Sequence, residues 1–413
     1  MHLSNNSNKT LVSSLLYLSL LVGFYFGENS SGGAYPDFVM RMDLIDKFQN
    51  DFSNSFLNYD NFNDRHSPLL IMIISFLNIK GIHIDLIRFI HLNLLPLLVI
   101  VSYKCLTLKF NKNNKNIIFL ICCVFFLSPS LRSIAIWPDS RLIGLFLFIF
   151  SIYFFLNFKR NHKYKDCINN NILLILSAYF SPNFSIFFLY FFFYYIEYFN
   201  ISKKLFLMIA INILLSLPMF IYIFLFDVNF FSINAVTNIN FLDSLNLSNK
   251  VFIISTLVFF YMFPFIFNFF SMNFFIKNFN INHFFYSLIL FFCLLYFFNY
   301  SIEYTGGGIF FKFSYLLFDN SYLFFFIVFI SLIFIFNIFK LNFNNLLLFF
   351  ILVVSNPQLT IYHKYFDPLL ILLFLLFFDF KFLKEKIINT KFLKNIYLFY
   401  FIFLFINFGR LFI

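Results

Sequence analysis

The chain alternates between long apolar runs and short polar segments. The runs stand at about 10–27, 84–103, 117–131, 141–158, 171–181, 184–199, 205–226, 251–270, 284–299, 321–339, 345–355, 367–380 and 395–412. A helix needs about 20 apolar residues to cross a bilayer, fewer where neighbouring protein shields it. The pattern predicts an all-α polytopic membrane protein with about 11–13 transmembrane helices; the short runs at 171–181 and 345–355 are re-entrant or merge with a neighbour. One further apolar stretch, 69–79, is too short to cross and is predicted as an interfacial helix on the membrane surface. It follows a polar, acidic segment, 28–66, read as the first outer loop. The first run lacks a small-x-small cleavage site and is followed by Gly27-Glu28, so it reads as a span rather than a signal peptide. Residues 1–413 form a single transmembrane domain in this reading, with no soluble domain, internal repeat or nucleotide motif.

Composition agrees with the pattern. Hydrophobic residues make up 61% of the chain and charged residues 11%, against about 45–50% and about 25% in soluble domains. Too little charge is present to cover a water-exposed surface. That excludes a soluble enzyme, a disordered chain and a disulfide scaffold. The 78 Phe residues, beside abundant Ile, Asn, Lys and Tyr, reflect an AT-rich genome, since Phe serves as well as Leu against lipid.

The net charge of +11 indicates orientation rather than nucleic-acid binding. Assigning the connecting loops alternately to two sides puts 17 Lys and Arg on one and, leaving aside Lys80 next to the second span, 8 on the other. The richer side is cytoplasmic by the positive-inside rule. The N-terminus is then inside, the C-terminus outside, and most of the acid outside. Cys105, Cys122, Cys123, Cys167 and Cys293 have no zinc-like spacing with His, and none falls in an outer loop, so no disulfide is expected.

Three outer segments carry candidate chemistry. The first runs from Gly32-Gly33-Ala34-Tyr35-Pro36-Asp37 through Arg41 and Asp43 to Asp64-Arg65-His66-Ser67-Pro68-Leu69-Leu70. A carboxylate at the lipid–water boundary suits a general base for a polar acceptor. Asp37, beside the Gly-Gly turn, is the candidate; Asp46, Asp51 and Asp60 read as a solvated acidic face. The second is Ser128-Pro129-Ser130-Leu131-Arg132 through Trp137-Pro138-Asp139-Ser140-Arg141. Arginine forks suit phosphate oxygens, and Asp139 suits an acceptor or a divalent metal. The plainer alternative is a local pair of Asp139 with Arg141 or Arg132, with Trp137 as an interfacial anchor. The third is Asn356-Pro357-Gln358 through His363-Lys364-Tyr365-Phe366-Asp367-Pro368, where His363, Lys364 and Tyr365 could clamp a phosphate. Its plainer alternative is a snorkelling Lys364.

In this order the three segments resemble the GT-C membrane glycosyltransferases, in the branch of the protein mannosyltransferases and lipid A aminoarabinose transferases. Asp37 matches the acid after the first span, and Arg65-His66-Ser67-Pro68-Leu69-Leu70 matches the basic-Pro-Pro-Leu-like lead into a periplasmic helix. Arg132 and Asp139 match the pair between spans three and four, and Lys364-Tyr365-Phe366-Asp367-Pro368 matches the late basic-Tyr-x-x-Pro segment. Phe38 stands where a second acid is usual, Ser67 where a Pro is usual, and Lys364 where an Arg is usual. The resemblance implies a GT-C-like bundle that moves a sugar from a polyprenyl-phosphate carrier to a lipid, glycan or protein acceptor. The site would face the periplasm from a bacterial inner membrane. Asp37 would act as base, with Asp139 on the acceptor or a divalent ion, and Arg65, His66, Arg132, Arg141, His363, Lys364 and Tyr365 on the substrate or phosphate. Asp37, Asp139 and Lys364 would border one outward cavity. The rivals are a multi-pass transporter or lipid flippase and an envelope polysaccharide polymerase or ligase.

Overall fold

The computed structural model describes residues 6–62, 64, 66–110, 114–226, 228, 246–269, 280–304, 306–356, 358, 360–381 and 388–409. These are helical almost throughout, with one isolated backbone bridge between Phe339 and Phe380. The chain gathers into two compact units, Met1–Thr237 with Tyr400–Ile413, and Asn238–Phe399.

In the first unit, α1 (Asn6–Tyr25), α2 (Ala34–Asn50), α3 (Phe52–Leu57), α4 (Leu69–Ile79), α5 (Ile84–Leu92), α6 (Leu94–Lys109) and α7 (Lys115–Cys123) follow one another. Then come α8 (Pro129–Ile136), α9 (Ser140–Asn161), α10 (Tyr164–Phe180), α11 (Phe188–Phe199) and α12 (Lys203–Leu225). The second unit holds α13 (Leu247–Phe269), α14 (Ile281–Leu295), α15 (Gly308–Phe318), α16 (Tyr322–Ile338), α17 (Phe343–Val354) and α18 (Leu369–Leu376). The unit boundary falls inside α19 (Thr390–Gly409).

Among the described residues, five helical stretches are long and apolar enough to cross a membrane: Ile84–Lys109, Ser140–Asn161, Lys203–Leu225, Leu247–Phe267 and Thr390–Phe408. A sixth arises if Lys115–Leu127 and Pro129–Ile136, bent by 66° at Ser128, count as one broken span. The chain is an all-α protein of integral-membrane type, and among the described residues fewer helices are long enough to span than there are apolar runs. Several predicted crossings fold as shorter helices. The run 367–380 contains α18, whose eight residues are all buried. At 1.5 Å per residue it reaches about 12 Å, less than half the bilayer core. The runs 171–181 and 184–199 part at Ser181-Pro182, where Pro ends the helical ladder. Asn280 and Asn342 cap α14 and α17 by accepting backbone N–H bonds from Asn282 and Asn345. Hydropathy counts such residues as small interruptions, whereas the backbone treats them as ends.

The segment 28–66, expected as the first outer loop, is mostly helical and forms α2 and α3. Gly32, at φ +79°, makes the turn into α2, and the Asn29 side chain accepts from the Ala34 and Tyr35 amides. Phe38, Arg41, Leu44, Ile45 and Phe48 form the buried stripe, while Asp43, Asp46 and Lys47 face outward. Helix α4 forms at the expected bounds. Its Leu70, Ile71 and Ile74 join Leu44, Ile45, Phe48 and Tyr59 in one apolar cluster, and the Ser75 hydroxyl donates to the Ile45 carbonyl at 3.1 Å. The other face of α4 exposes Ile73, Phe76 and Ile79.

Candidate functional site

Two sequence features position the site in the first unit. Ser128-Pro129 breaks the chain and starts α8: the Ser128 hydroxyl accepts from the Leu131 amide, and Pro129 occupies the first turn. Asp139 then caps α9 by accepting from the Arg141 amide at 2.8 Å. The segment between them, predicted as an outer loop, is buried from Ser128 to Leu142.

Asp139 is the centre of the cluster. Its Oδ1 also accepts from Arg141 Nε at 2.8 Å, and its Oδ2 accepts from Arg141 Nη2 at 2.6 Å and Arg41 Nη1 at 3.1 Å. Arg41 Nη1 also donates to the Pro138 carbonyl. All three side chains are buried. Burial alone would raise the Asp139 carboxyl, but the charges of Arg141 and Arg41 outweigh it and hold the group well below the usual carboxylate range. Asp37, one turn before Arg41 on α2 and half-buried, acts electrostatically on Arg41, as does Asp64. The Asp64 carboxylate accepts from the His66 amide at 2.9 Å, and the Tyr59 hydroxyl donates to the His66 carbonyl at 2.9 Å. The imidazole of His66 is pushed down to about 4, first by burial and then by the Arg41 charge. It is therefore neutral at physiological pH. On α5, the two ring nitrogens of His91 lie 3.3 and 3.2 Å from the Ala135 and Asp139 carbonyls and brace the turn.

The His66 displacement has a testable consequence. A histidine lowered from 6.5 to about 4 takes its proton more readily in the unfolded chain. Stability from this group is complete above about 6.5 and is lost as pH falls towards 4. His66→Asn is expected to flatten that part of the pH–stability curve in thermal melts. An unchanged slope would mean that His66 does not cause it.

Four predicted site residues, Asp37, His66, Asp139 and Arg141, thus come together around Arg41. Three predicted roles are corrected. Arg132 cannot offer a phosphate clamp as it stands, because its five N–H donors are all engaged. Nε donates to Glu28 at 2.7 Å, Nη1 to the Ser19 hydroxyl and the Phe126 carbonyl, and Nη2 to the Ser19 carbonyl and the second Glu28 oxygen. Asp139 is not disposed as a metal ligand, since its oxygens already accept four hydrogen bonds, three of them from guanidinium groups. Among the described residues no three His, Cys, Asp or Glu side chains form a metal set. Trp137 is not an exposed interfacial anchor: it is buried, donates to the Glu28 carbonyl at 3.0 Å and lies under Arg88, 4.0 Å from the ring centre. Arg65 lies outside the described residues.

His363, Lys364 and Tyr365 fall in the second unit, on a single 3-10 turn. The Tyr261 hydroxyl of α13 and His363 Nε2 are 2.5 Å apart, and Phe260 meets the imidazole edge-on. Burial pushes His363 down to about 3, so it contributes no positive charge at neutral pH. The Lys364 ammonium lies 5.0 Å from the ring centre of Tyr362.

Arg41 and Glu28 are the residues that motif reading missed. For Arg41 the signal was the stripe: it occupies an apolar position in the series Phe38, Arg41, Ile45, Phe48, where a cation is buried only if it is paired. The chain matches no protein-family model, and no curated protein and no solved structure matches it.

Proposed function

We propose that the protein is a membrane glycosyltransferase of GT-C type, moving a sugar from a polyprenyl-phosphate carrier to an acceptor on the outer face. The observation that supports this reading is the gathering of Asp37, His66, Asp139 and Arg141 on Arg41 from segments up to 104 residues apart. Asp37, half-buried at the edge, takes the acceptor proton as the acceptor oxygen attacks the anomeric carbon. The bond from that carbon to the carrier phosphate breaks, and the phosphate leaves with the electron pair. Arg41 and Arg141 stabilise its growing charge. Asp139 positions these two guanidinium groups rather than reacting. No metal enters the scheme, because the donor set around Asp139 does not fit one. The carrier brings the activated sugar within the membrane, so no nucleotide site is required.

The test is transfer by the purified protein in lipid nanodiscs, supplied with radiolabelled polyprenyl-phosphate-linked mannose or aminoarabinose and a membrane-lipid extract as acceptor. Appearance of label in the acceptor with release of polyprenyl phosphate is the expected result. Neither donor being consumed would remove the basis for this branch of the family. Orientation has a separate test. Asn54 is exposed on α3, so Asn54→Cys should react with an impermeant thiol reagent in intact cells. Labelling only after lysis would place the cluster on the cytoplasmic side.

One observation favours the transporter rival. The 66° break at Ser128 sits beside the buried Arg132–Glu28 pair, and transporters bind their substrates at broken helices carrying ionisable groups. Solute uptake by proteoliposomes without sugar transfer would decide for it.

A further inference from the structure

Lys250 stands in the first turn of α13 and is 1% exposed. Its ammonium is buried and makes no hydrogen bond or ion pair among the described residues. Elsewhere the protein treats buried cations differently. Arg41 and Arg141 share a carboxylate, and Arg132 engages all five of its donors.

The position of Lys250 adds to the anomaly. A helix N-terminus carries partial positive charge and unbonded N–H groups, so a cation there is disfavoured even in water. Burial without a counter-charge is costlier still. Every Cα–Cβ bond in an α-helix tilts towards the N-terminus, so the side chain of Lys250 leads back over the first turn. The adjacent polar groups do not offset it. Asn249 Nδ2 and Asn246 Nδ2 both donate to Asn299 Oδ1, at 2.8 and 2.6 Å, and the Asn299 amide donates to Asn249 Oδ1 at 3.0 Å. The Asn249 amide is taken by Asn246 Oδ1. These bonds lock the chain around Asn299 onto the start of α13 and leave the lysine out.

A buried ammonium and a helix N-terminus are both complemented by one oxyanion, which receives N–H bonds from the turn and charge from the lysine. We infer that the first turn of α13 is an anion-binding site for a phosphate-type group, centred on Lys250 and separate from the Arg41–Asp139–Arg141 cluster. The same chemistry is met by a free phosphate or by the headgroup of an anionic phospholipid. The site lies at one end of a candidate span, Leu247–Phe267.

The experiment compares thermal unfolding of the wild-type protein and Lys250→Met. Met retains an unbranched apolar side chain and removes the buried charge, so the variant is expected to fold. Two probes are used: inorganic phosphate added to detergent-solubilised protein, and nanodiscs of phosphatidylglycerol against phosphatidylcholine. A ligand at 100 times its dissociation constant should raise the wild-type Tm by roughly 2 °C or more. A rise with phosphate that Lys250→Met loses identifies a free-oxyanion site. A rise only in phosphatidylglycerol, again lost in the variant, identifies a lipid-headgroup site. Equal responses of wild type and variant, or none in either, overturn the inference. So does an internal partner: Asp243, seven residues earlier in the sequence and outside the described residues, would be that partner if Asp243→Asn and Lys250→Met cost the same and their effects do not add. None of these readings depends on sugar transfer, so this inference and the proposed function fail separately.

Discussion

Asp139→Ala should destabilise the first unit by about 3–5 kcal/mol, the range found when one partner of a buried ion pair is removed. The variant strips the shared acceptor from two buried guanidinium groups and removes the cap of α9. The loss of the cap alone costs about 1 kcal/mol; the rest is uncompensated charge. The measurement is reversible unfolding in mixed micelles, followed by far-UV circular dichroism. A companion variant separates charge from packing: Arg41→Met/Asp139→Leu/Arg141→Met removes all three charges together. It should recover much of the stability, because apolar side chains of similar volume replace buried ion pairs at little net cost. A change below about 0.5 kcal/mol for Asp139→Ala, as at ordinary surface sites, would mean that the carboxylate is not enclosed by Arg41 and Arg141. The transferase reading would then lose its frame.

Asp37→Asn should lower sugar transfer by about 10²–10⁴-fold, the usual contribution of a positioned general base. Asn keeps the shape and loses the basicity. Asp37 also sits half-buried in the first turn of α2, where a neutral replacement disturbs little packing. The stability of the variant should therefore stay near wild type, unlike that of Asp139→Ala. Binding of the polyprenyl-phosphate donor should change little, so the loss appears in kcat. Full transfer with normal expression would remove Asp37 as base. Equal losses in donor affinity and turnover would instead make it a binding residue acting through Arg41.

How much was legible in the sequence differed between fold and site. Helix α4 was readable to the residue, because its eleven apolar positions are bounded by Pro68 and Lys80. Helix α2 was not. Asp37, Asp43, Asp46 and Lys47 made its segment look like an acidic loop, although its buried positions recur at helical spacing. Helix α18 was misread in the opposite sense: its unbroken apolar run looks like a span but is buried among other helices. Hydrophobicity reports what avoids water, and both lipid and a protein core satisfy that demand.

The sequence by itself determined the all-α class, the membrane-spanning character and the segments that hold the polar residues. Composition and run length suffice for these, since a charge-poor chain has few ways to satisfy its backbone in lipid other than as helices. It also determined the local breaks, because Ser128-Pro129 and the Asp139 cap act within a few residues of themselves. Only the tertiary structure decided which charges meet. Arg132 was assigned to phosphate but is used up on Glu28, 104 residues earlier, and Arg41 reaches Asp139 across 98 residues. A charge buried out of water must be neutralised by whatever the fold brings within about 3 Å. Which partner that is depends on how the helices pack, which no local pattern records.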